Sequence, residues 1–447
     1  MPSPNVSMFS QYLSDDELAD LCAEEQIIFH MLQFEIALAR AQSAQGIIPA
    51  EAARMIGGHL LNFHPSPREL SAGTLQNGIP VITLLSLAKS QLPDDAKEWL
   101  HFGATSQDTM DTARVLIIKE VITVIEKRIH LLLNNFSSII SEYGMIPCMA
   151  RSRSQHAIPI AFGLKITNWA NPLLRHLERL QQMKPGLLVV QLGGAAGSLS
   201  AWNDKDEKIS AALASELGLN HSIPWHNQRD GFTEFTNWLA MLSCMLGKMA
   251  ADILILSQTE IAELSESTAG GGKSSTMPHK NNPVLSEAVL ALAKMNTSLA
   301  ATQLQSMIQS NERDGSSMAM EWITIPQMIL NTGTALSHMM IVSKNMGINK
   351  ERMRQNIDAT NGLVFAEAAI FELSKTISRS AATELVNKAC ALVMKEKSLP
   401  AVLNELTTGK NINWEEALHP ERHIGIAKEI MKVTIQKIEH LQSSKSH

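Results

Sequence analysis

Residues 111–142 read DTARVLIIKEVITVIEKRIHLLLNNFSSIISE. Neither Gly nor Pro interrupts the chain from Ala104 to Tyr143. Val115, Ile118, Val121, Ile122, Ile125, Ile129, Leu132 and Leu133 recur at steps of three and four, the period of one buried helical face. Asp111 is the expected N-cap of a helix from about Thr112 to Glu142. At 1.5 Å per residue, an unbroken helix over the whole span approaches ~60 Å. Such a helix does not persist in water without neighbours along its length. Residues 232–268, with Gly247 alone, and 284–314, with no Gly or Pro, repeat the pattern. The simplest architecture is all-α, with a central bundle of long helices.

Composition agrees. The 447-residue chain is 45 % apolar but only 4 % aromatic, and its 24 Gly and 17 Pro fall below the roughly 12 % of average usage. A β-sandwich or barrel needs a turn every 8–12 residues and is excluded. The net charge of −6 leaves no basic excess for nucleic acid. Cys22, Cys148, Cys244 and Cys390 form no CxxC pattern and read as reduced thiols of a cytoplasmic protein. No run of 18 apolar residues occurs, so no membrane span is expected. The start MPSPNVSMFSQYLSDDELAD lacks the form of a secretion signal, and the polar tail QSSKSH is expected to fray. The 23 methionines read as core filler.

Three domains are expected: a helical block at 1–110, broken at Gly46, Gly57-Gly58 and His64-Pro65-Ser66-Pro67; the long-helix bundle at 111–351; and a helical block at 352–447. Against this background, small polar and basic residues gather in five loops: 101–108, 150–159, 191–200, 223–231 and 269–283. Loops on a rigid scaffold are where sites sit.

The richest is Gly270-Gly271-Gly272-Lys273-Ser274-Ser275-Thr276-Met277-Pro278-His279-Lys280-Asn281-Asn282-Pro283. Three glycines before two serines suit a loop that closes over a ligand. A serine acts as a base only where cations or N–H groups stabilise its alkoxide, and Lys280 and the loop amides supply such a field. The glycine spacing does not fit a phosphate-binding P-loop, while a plain surface linker stays open. In His101-Phe102-Gly103-Ala104-Thr105-Ser106-Gln107-Asp108, Thr105 and Ser106 either bind a carboxylate at a helix start or simply cap it. Arg151-Ser152-Arg153-Ser154-Gln155-His156 suits an anionic substrate and proton transfer. His156 alone reads as structural unless it meets a partner such as Glu287. In Trp225-His226-Asn227-Gln228-Arg229-Asp230, Arg229 either holds a substrate carboxylate or pairs with Asp230 or another internal acid. His59 and His64, and His221 and His226, are five apart and not on one helical face, so metal ligation is not expected.

Taken in order, these motifs resemble the fumarase/aspartase superfamily. Its GSSxMPxKxN signature matches Ser274 to Asn282, and its TSxD motif matches Thr105 to Asp108. Within it, HFGATSQDTMDTA, RSRSQHAIPIAFG, QLGGAAGSLSAW and SSTMPHKNNPV are most similar to the 3-carboxy-cis,cis-muconate cycloisomerase branch. Adenylosuccinate lyases carry a His where Arg153 stands. The resemblance implies a three-domain all-α subunit, a homotetramer, and active sites that take loops from three subunits. It implies Ser274 as general base, His156 as general acid supported by Glu287, Lys280 and Asn282 stabilising an aci-carboxylate, and His101 as a second proton-handling or substrate-binding group. Thr105, Ser106, Arg151, Arg153, Gln155, Arg229, Ser275 and Arg313 would bind a di- or tricarboxylate. No cofactor and no metal are implied, and neither a nucleic-acid nor a membrane partner.

Three departures bear on the substrate: Lys273 where relatives have Gly, Asn281 where they have Arg, and Asn311 where they often have His. They keep open a C–N or C–O lyase acting on a substituted succinate. A catalytically silent homologue is disfavoured by Ser274, His156, Lys280 and Glu287.

Overall fold

The computed structural model describes residues 8–202, 205–267, 271–393 and 397–443. The first seven residues, Gly270 and the last four residues, on which some of the expectations above fall, lie outside them. The chain is 68 % helical, as the sequence implies. Among the described residues six helices exceed twenty residues: α1 (Glu24–Ala44), α2 (Ser106–Tyr143), α3 (Phe162–Leu187), α4 (Asp230–Leu256), α5 (Val284–Ser306) and α6 (Gly315–Asn345). The eight apolar positions read from α2 are all 2 % exposed or less.

Several local expectations fail for identifiable reasons. α2 starts at Ser106, so Asp111 lies inside the helix, where Arg229 takes its carboxylate at 2.7 Å. The run 284–314 breaks without Gly or Pro. Asn311 adopts φ 56°, and Asp314 accepts the amides of Ser316 (2.9 Å) and Ser317 (3.2 Å), which starts α6. Gly57 and Gly58 lie inside the helix Ala50–Leu60, whose Ala52, Ala53, Ile56 and Leu60 are buried; packing outweighs their poor helix propensity. The expected loop 150–159 is a β-hairpin, β1 (Pro147–Ser152) with β2 (Gln155–Ala161). Two shorter strands, β3 (Leu264–Ser265) and β4 (Gly347–Ile348), pair antiparallel. α4 is long and apolar enough to cross a membrane, but 56 % of its apolar window is buried inside the protein, as in a core helix.

The chain forms two compact units. One comprises Met1–Arg128, His176–Gly247 and Ala288–Ser337. Its core includes Phe34 and Leu38 of α1 against Leu192, Trp202 and Leu213. Where α4, α5 and α6 meet, polar side chains pair in the dry interior. Asn296 Nδ2 donates to Ser243 Oγ (2.8 Å) and Thr332 Oγ1 (3.0 Å), and Asn331 Nδ2 donates to Asn296 Oδ1 (2.9 Å). Such a network is satisfied in one helix register only, so it specifies the packing. The other unit comprises Ile129–Arg175, Lys248–Glu287 and His338–His447. Its core gathers Met149, Ile357, Leu373, Val386, Leu403 and Trp414.

In the first unit the buried Asp15 joins three elements. It accepts the Leu18 amide (3.0 Å), both Nη atoms of Arg128 on α2 (2.6 and 2.9 Å) and the Ser337 hydroxyl on α6 (2.8 Å). Burial pushes its carboxyl up, but Arg128, Leu18 and Ser337 together hold it below its ordinary value. A depressed folded pKa contributes stability above the unfolded value that is lost as pH falls through the folded one. Asp15→Asn therefore destabilises by on the order of 1–3 kcal/mol near neutrality, and the gap closes in acid. Calorimetric midpoints at several pH values check this; equal midpoints at pH 7 refute it.

Candidate active site

In the first unit the site is built on Asp108, in the first turn of α2. Its fully buried carboxylate accepts the amides of Thr105 (3.0 Å), Gly193 (2.9 Å) and Gly194 (3.0 Å), the side chain of Gln191 (3.3 Å), and lies 2.7 Å from His226 Nε2. The loop at 191–197 is thus drawn onto the helix start. Only glycine fits at position 193, where a Cβ would lie 2.5 Å from His226 Cε1. Gln107, also buried, donates to His226 O (2.8 Å) and accepts Arg313 Nε (2.9 Å), while Arg313 Nη2 donates to Ala195 O (3.1 Å). Arg313 is otherwise exposed, held against the glycine loop. The hydroxyls of Thr105 and Ser106, both half-buried, make no hydrogen bond among the described residues. They stay available at the positive end of a 38-residue helix.

His101 precedes them in a left-handed conformation (φ 65°). Its Nδ1 lies 2.7 Å from Glu35 Oε1, which also accepts the Thr109 hydroxyl at 2.9 Å. Burial alone would lower the His101 pKa. The Glu35 and Asp108 carboxylates outweigh it, so the imidazole stays protonated above its ordinary value.

In the second unit, Arg153 (φ 49°) and Ser154 (φ 65°) form the two-residue tip of the hairpin. Both central residues at positive φ make a type I′ turn, usually given to Asn-Gly. Arg153, Gln155 and His156 are exposed there. Arg151 sits across the ladder from His156. A cleft of about 740 Å³ opens beside His156, lined by Ile158, Thr360, Leu363, Glu367 and Val393 among others.

The serine loop has a built interior. Ser274 Oγ accepts the amides of Thr276 (3.4 Å) and Met277 (3.2 Å), so two N–H dipoles already face the oxygen. Lys273 bridges Asn281, and the Asn282 amide donates to Gly272 O at 3.0 Å. Gly272 takes φ 56°, and a Cβ there would lie 1.9 Å from Asn282 O. Ser275 and Lys280 are exposed, Asn282 half-buried. Glu287, in the first turn of α5, is exposed, and no hydrogen bond or ion pair joins it to His156 among the described residues.

Two expected carboxylate binders are occupied by the protein's own acids. Arg229 is 2 % exposed and lies between Asp111 (2.7 and 3.0 Å) and Glu321 (2.9 Å from Nε), not beside Asp230. A charge so enclosed has no donor left for a ligand; it braces α2, α4 and α6. Arg151 gives both Nη atoms to the fully buried Glu263 (3.1 and 2.6 Å). Reading the sequence missed Glu263, Glu35 and Glu321, because each meets its partner from a distant part of the chain. Asp108 was within reach as the last residue of the TSxD motif.

Removing the Glu35 charge should lower the His101 pKa. A raised histidine pKa contributes stability that is full below the unfolded value and lost as pH rises through the folded one. Glu35→Gln should therefore narrow its stability deficit toward alkaline pH. An NMR titration of the imidazole checks the shift; an unmoved midpoint contradicts the pairing.

The chain is similar to known proteins over most of its length. A family model described as lyase matches residues 30–296. The chain is 35 % identical over 395 residues to a 3-carboxy-cis,cis-muconate cycloisomerase of Bradyrhizobium diazoefficiens, covering 87 % of this chain and 88 % of that protein. It is 32 % identical to the Acinetobacter baylyi enzyme of the same name, over 96 % of this chain and 98 % of that one. It superposes on the crystal structure of the 3-carboxy-cis,cis-muconate lactonizing enzyme from Pseudomonas putida with a TM-score of 0.90 at 31 % identity, covering 97 % and 99 % of the two chains. With the helical fold, the serine loop and these matches in agreement, the chain belongs to the lyase family of the fumarase/aspartase superfamily and is an enzyme.

Proposed function

We propose that this chain is a 3-carboxy-cis,cis-muconate cycloisomerase-type enzyme, closing a lactone on a small polycarboxylate through an aci-carboxylate intermediate. The observation that carries the reading is the serine loop, in which Ser274 Oγ lies against the amides of Thr276 and Met277. A serine alkoxide is costly in a dry site, and donors already in place lower that cost without reorganisation.

In the addition direction a substrate carboxylate oxygen bonds to the β carbon of a conjugated acid. The double-bond electrons move into the neighbouring carboxylate, giving the aci-carboxylate. Ser274 Oγ–H then delivers a proton to the α carbon, and the alkoxide left behind takes a proton from solvent; in the elimination direction the alkoxide removes the α proton and later returns it to solvent. Lys280 and Asn282 meet the doubled charge. His156, supported by Glu287, is the general acid, giving a proton to the departing group in the elimination direction. Thr105, Ser106, Arg153, Gln155, Ser275 and Arg313 bind the remaining carboxylates, and His101, whose protonated form Glu35 and Asp108 favour, adds to that field when protonated.

Among the described residues His156 and Glu287 make no ion pair or hydrogen bond with each other, which fits a homotetramer whose active sites take residues from several copies. Exposed Met241, Ile255, Met295, Leu304, Ile323 and Ile341 on α4, α5 and α6 supply apolar surface for that assembly. α5 carries only two charged residues, Glu287 and Lys294, in 23 positions. The division into 1–110, 111–351 and 352–447 and a cytoplasmic location belong to the same reading. Lys273, Asn281 and Asn311 keep open a second one, a lyase that eliminates an amine or another group from a substituted succinate.

Incubation with the muconate should remove its ultraviolet absorbance. An increase in the fumarate band with amino-succinates, and no muconate turnover, would establish the second reading instead. Ser274→Ala should lower the chemical rate by at least ~10² with the assembly intact; wild-type turnover in that variant sinks the base assignment. Sedimentation should give four times the 49.0 kDa chain mass, and a monomer would remove the shared-site proposal.

A further inference from the structure

The chemistry assigned to Ser274 and His156 depends on where two separate stretches of backbone are held. One four-residue segment, Glu263-Leu264-Ser265-Glu266, reaches both. Its own backbone is fixed: Leu264 pairs with Ile348 and Ser265 with Gly347, and the Asn349 amide donates to Glu263 O at 3.0 Å.

Glu263 serves the hairpin. Its carboxylate, fully buried, takes Arg151 Nη2 at 2.6 Å and Nη1 at 3.1 Å, and also Asn356 Nδ2 at 2.8 Å. Arg151 is the residue across the ladder from His156, one pair from the turn. Fixing its guanidinium by two parallel bonds fixes the strand orientation on which His156 is carried.

Glu266 serves the serine loop. Its Oε1 accepts the Ser286 amide (2.6 Å) and hydroxyl (2.8 Å), and its Oε2 accepts the Leu285 amide (3.1 Å). The helix start of α5 is thus capped from 19 and 20 residues upstream. The loop that bears Ser274, Lys280 and Asn282 is closed at its base by one carboxylate.

We propose that Glu263 and Glu266 are positioning residues of the reaction, one setting the strand of His156 and the other the base of the Ser274 loop. The proposal rests on the reading of Ser274 and His156 as the proton-handling groups. Stability alone is a weak reason for the Glu263–Arg151 pair, because a buried ion pair gains little over apolar packing of the same volume. Its two-point geometry, in contrast, holds a strand to a fraction of an ångström, and a 1 Å misplacement of catalytic groups costs ~10²-fold in rate.

Hydrogen–deuterium exchange and steady-state kinetics on the full chain test it with Glu263→Gln, Arg151→Lys and Glu266→Gln. The first two should speed amide exchange across 147–161 at least ~10-fold and leave 271–283 unchanged. Glu266→Gln should do the reverse, in 271–283 and the first turn of α5. Each should lower kcat on the order of 10–100-fold with KM within about threefold. The double variant Glu263→Gln/Arg151→Lys should be no worse than its worse parent, because the two side chains act through one contact. Wild-type exchange in both segments, unchanged kcat, a loss in KM alone, or additive losses would each overturn the proposal. If Glu263→Gln does not fold, Arg151→Lys breaks the same contact from its less buried side. Ser274→Ala separates the two levels: full turnover there removes the reaction assignment, while the exchange rates still decide whether Glu263 and Glu266 hold the hairpin and the loop.

Discussion

A carboxylate taken out of water must be met by N–H or O–H donors, and in this protein that requirement organises the structure around the site. Asp108 is met by the amides of Thr105, Gly193 and Gly194 and by the side chains of Gln191 and His226. Remove the charge and the start of α2, the glycine loop and the segment at 226 lose their common point. Asp15, Glu35, Asp111, Glu263 and Glu321 repeat the device elsewhere, each joining parts of the chain remote in sequence. Burial makes these contacts strict, because an unpaired charge at such a place is far costlier than a missing methyl group.

The same strictness removes positive charge from the loops of each unit. The sequence places Arg151, Arg153, Arg229, Lys273 and Lys280 in loops, which suggests a strongly basic pocket on a chain of charge −6. Two of these five are neutralised by internal acids. Arg153, Lys273 and Lys280 are exposed, with Arg313 held by one side chain and one carbonyl. Each unit therefore keeps only a few cations at its loops, Arg153, Lys273 and Lys280 in the second and Arg313 in the first. Under the proposed chemistry, such a sparse field is suited to charge that develops at one carboxylate.

The helical architecture was legible because the period at Val115 to Leu133 and the absence of breakers report directly on burial of one face. The serine loop was legible because its residue types and spacing are specific. What stayed hidden depended on contacts across the chain. Whether Arg229 faced a ligand or an acid was open locally; its partners lie 118 and 92 residues away. The hairpin at 147–161 was hidden for a different reason: its turn uses Arg153 and Ser154 where the pattern asks for Asn-Gly. The break between α5 and α6 rests on Asn311 and a capping aspartate, a weaker signal than Gly or Pro.

The two amides that face Ser274 Oγ come from the residues two and three positions further along the same loop. A displacement of that loop carries the oxygen and its donors together as one piece. Under the role proposed for Ser274, the electrostatic support of the oxygen is built within the loop itself and needs no donor from elsewhere in the chain.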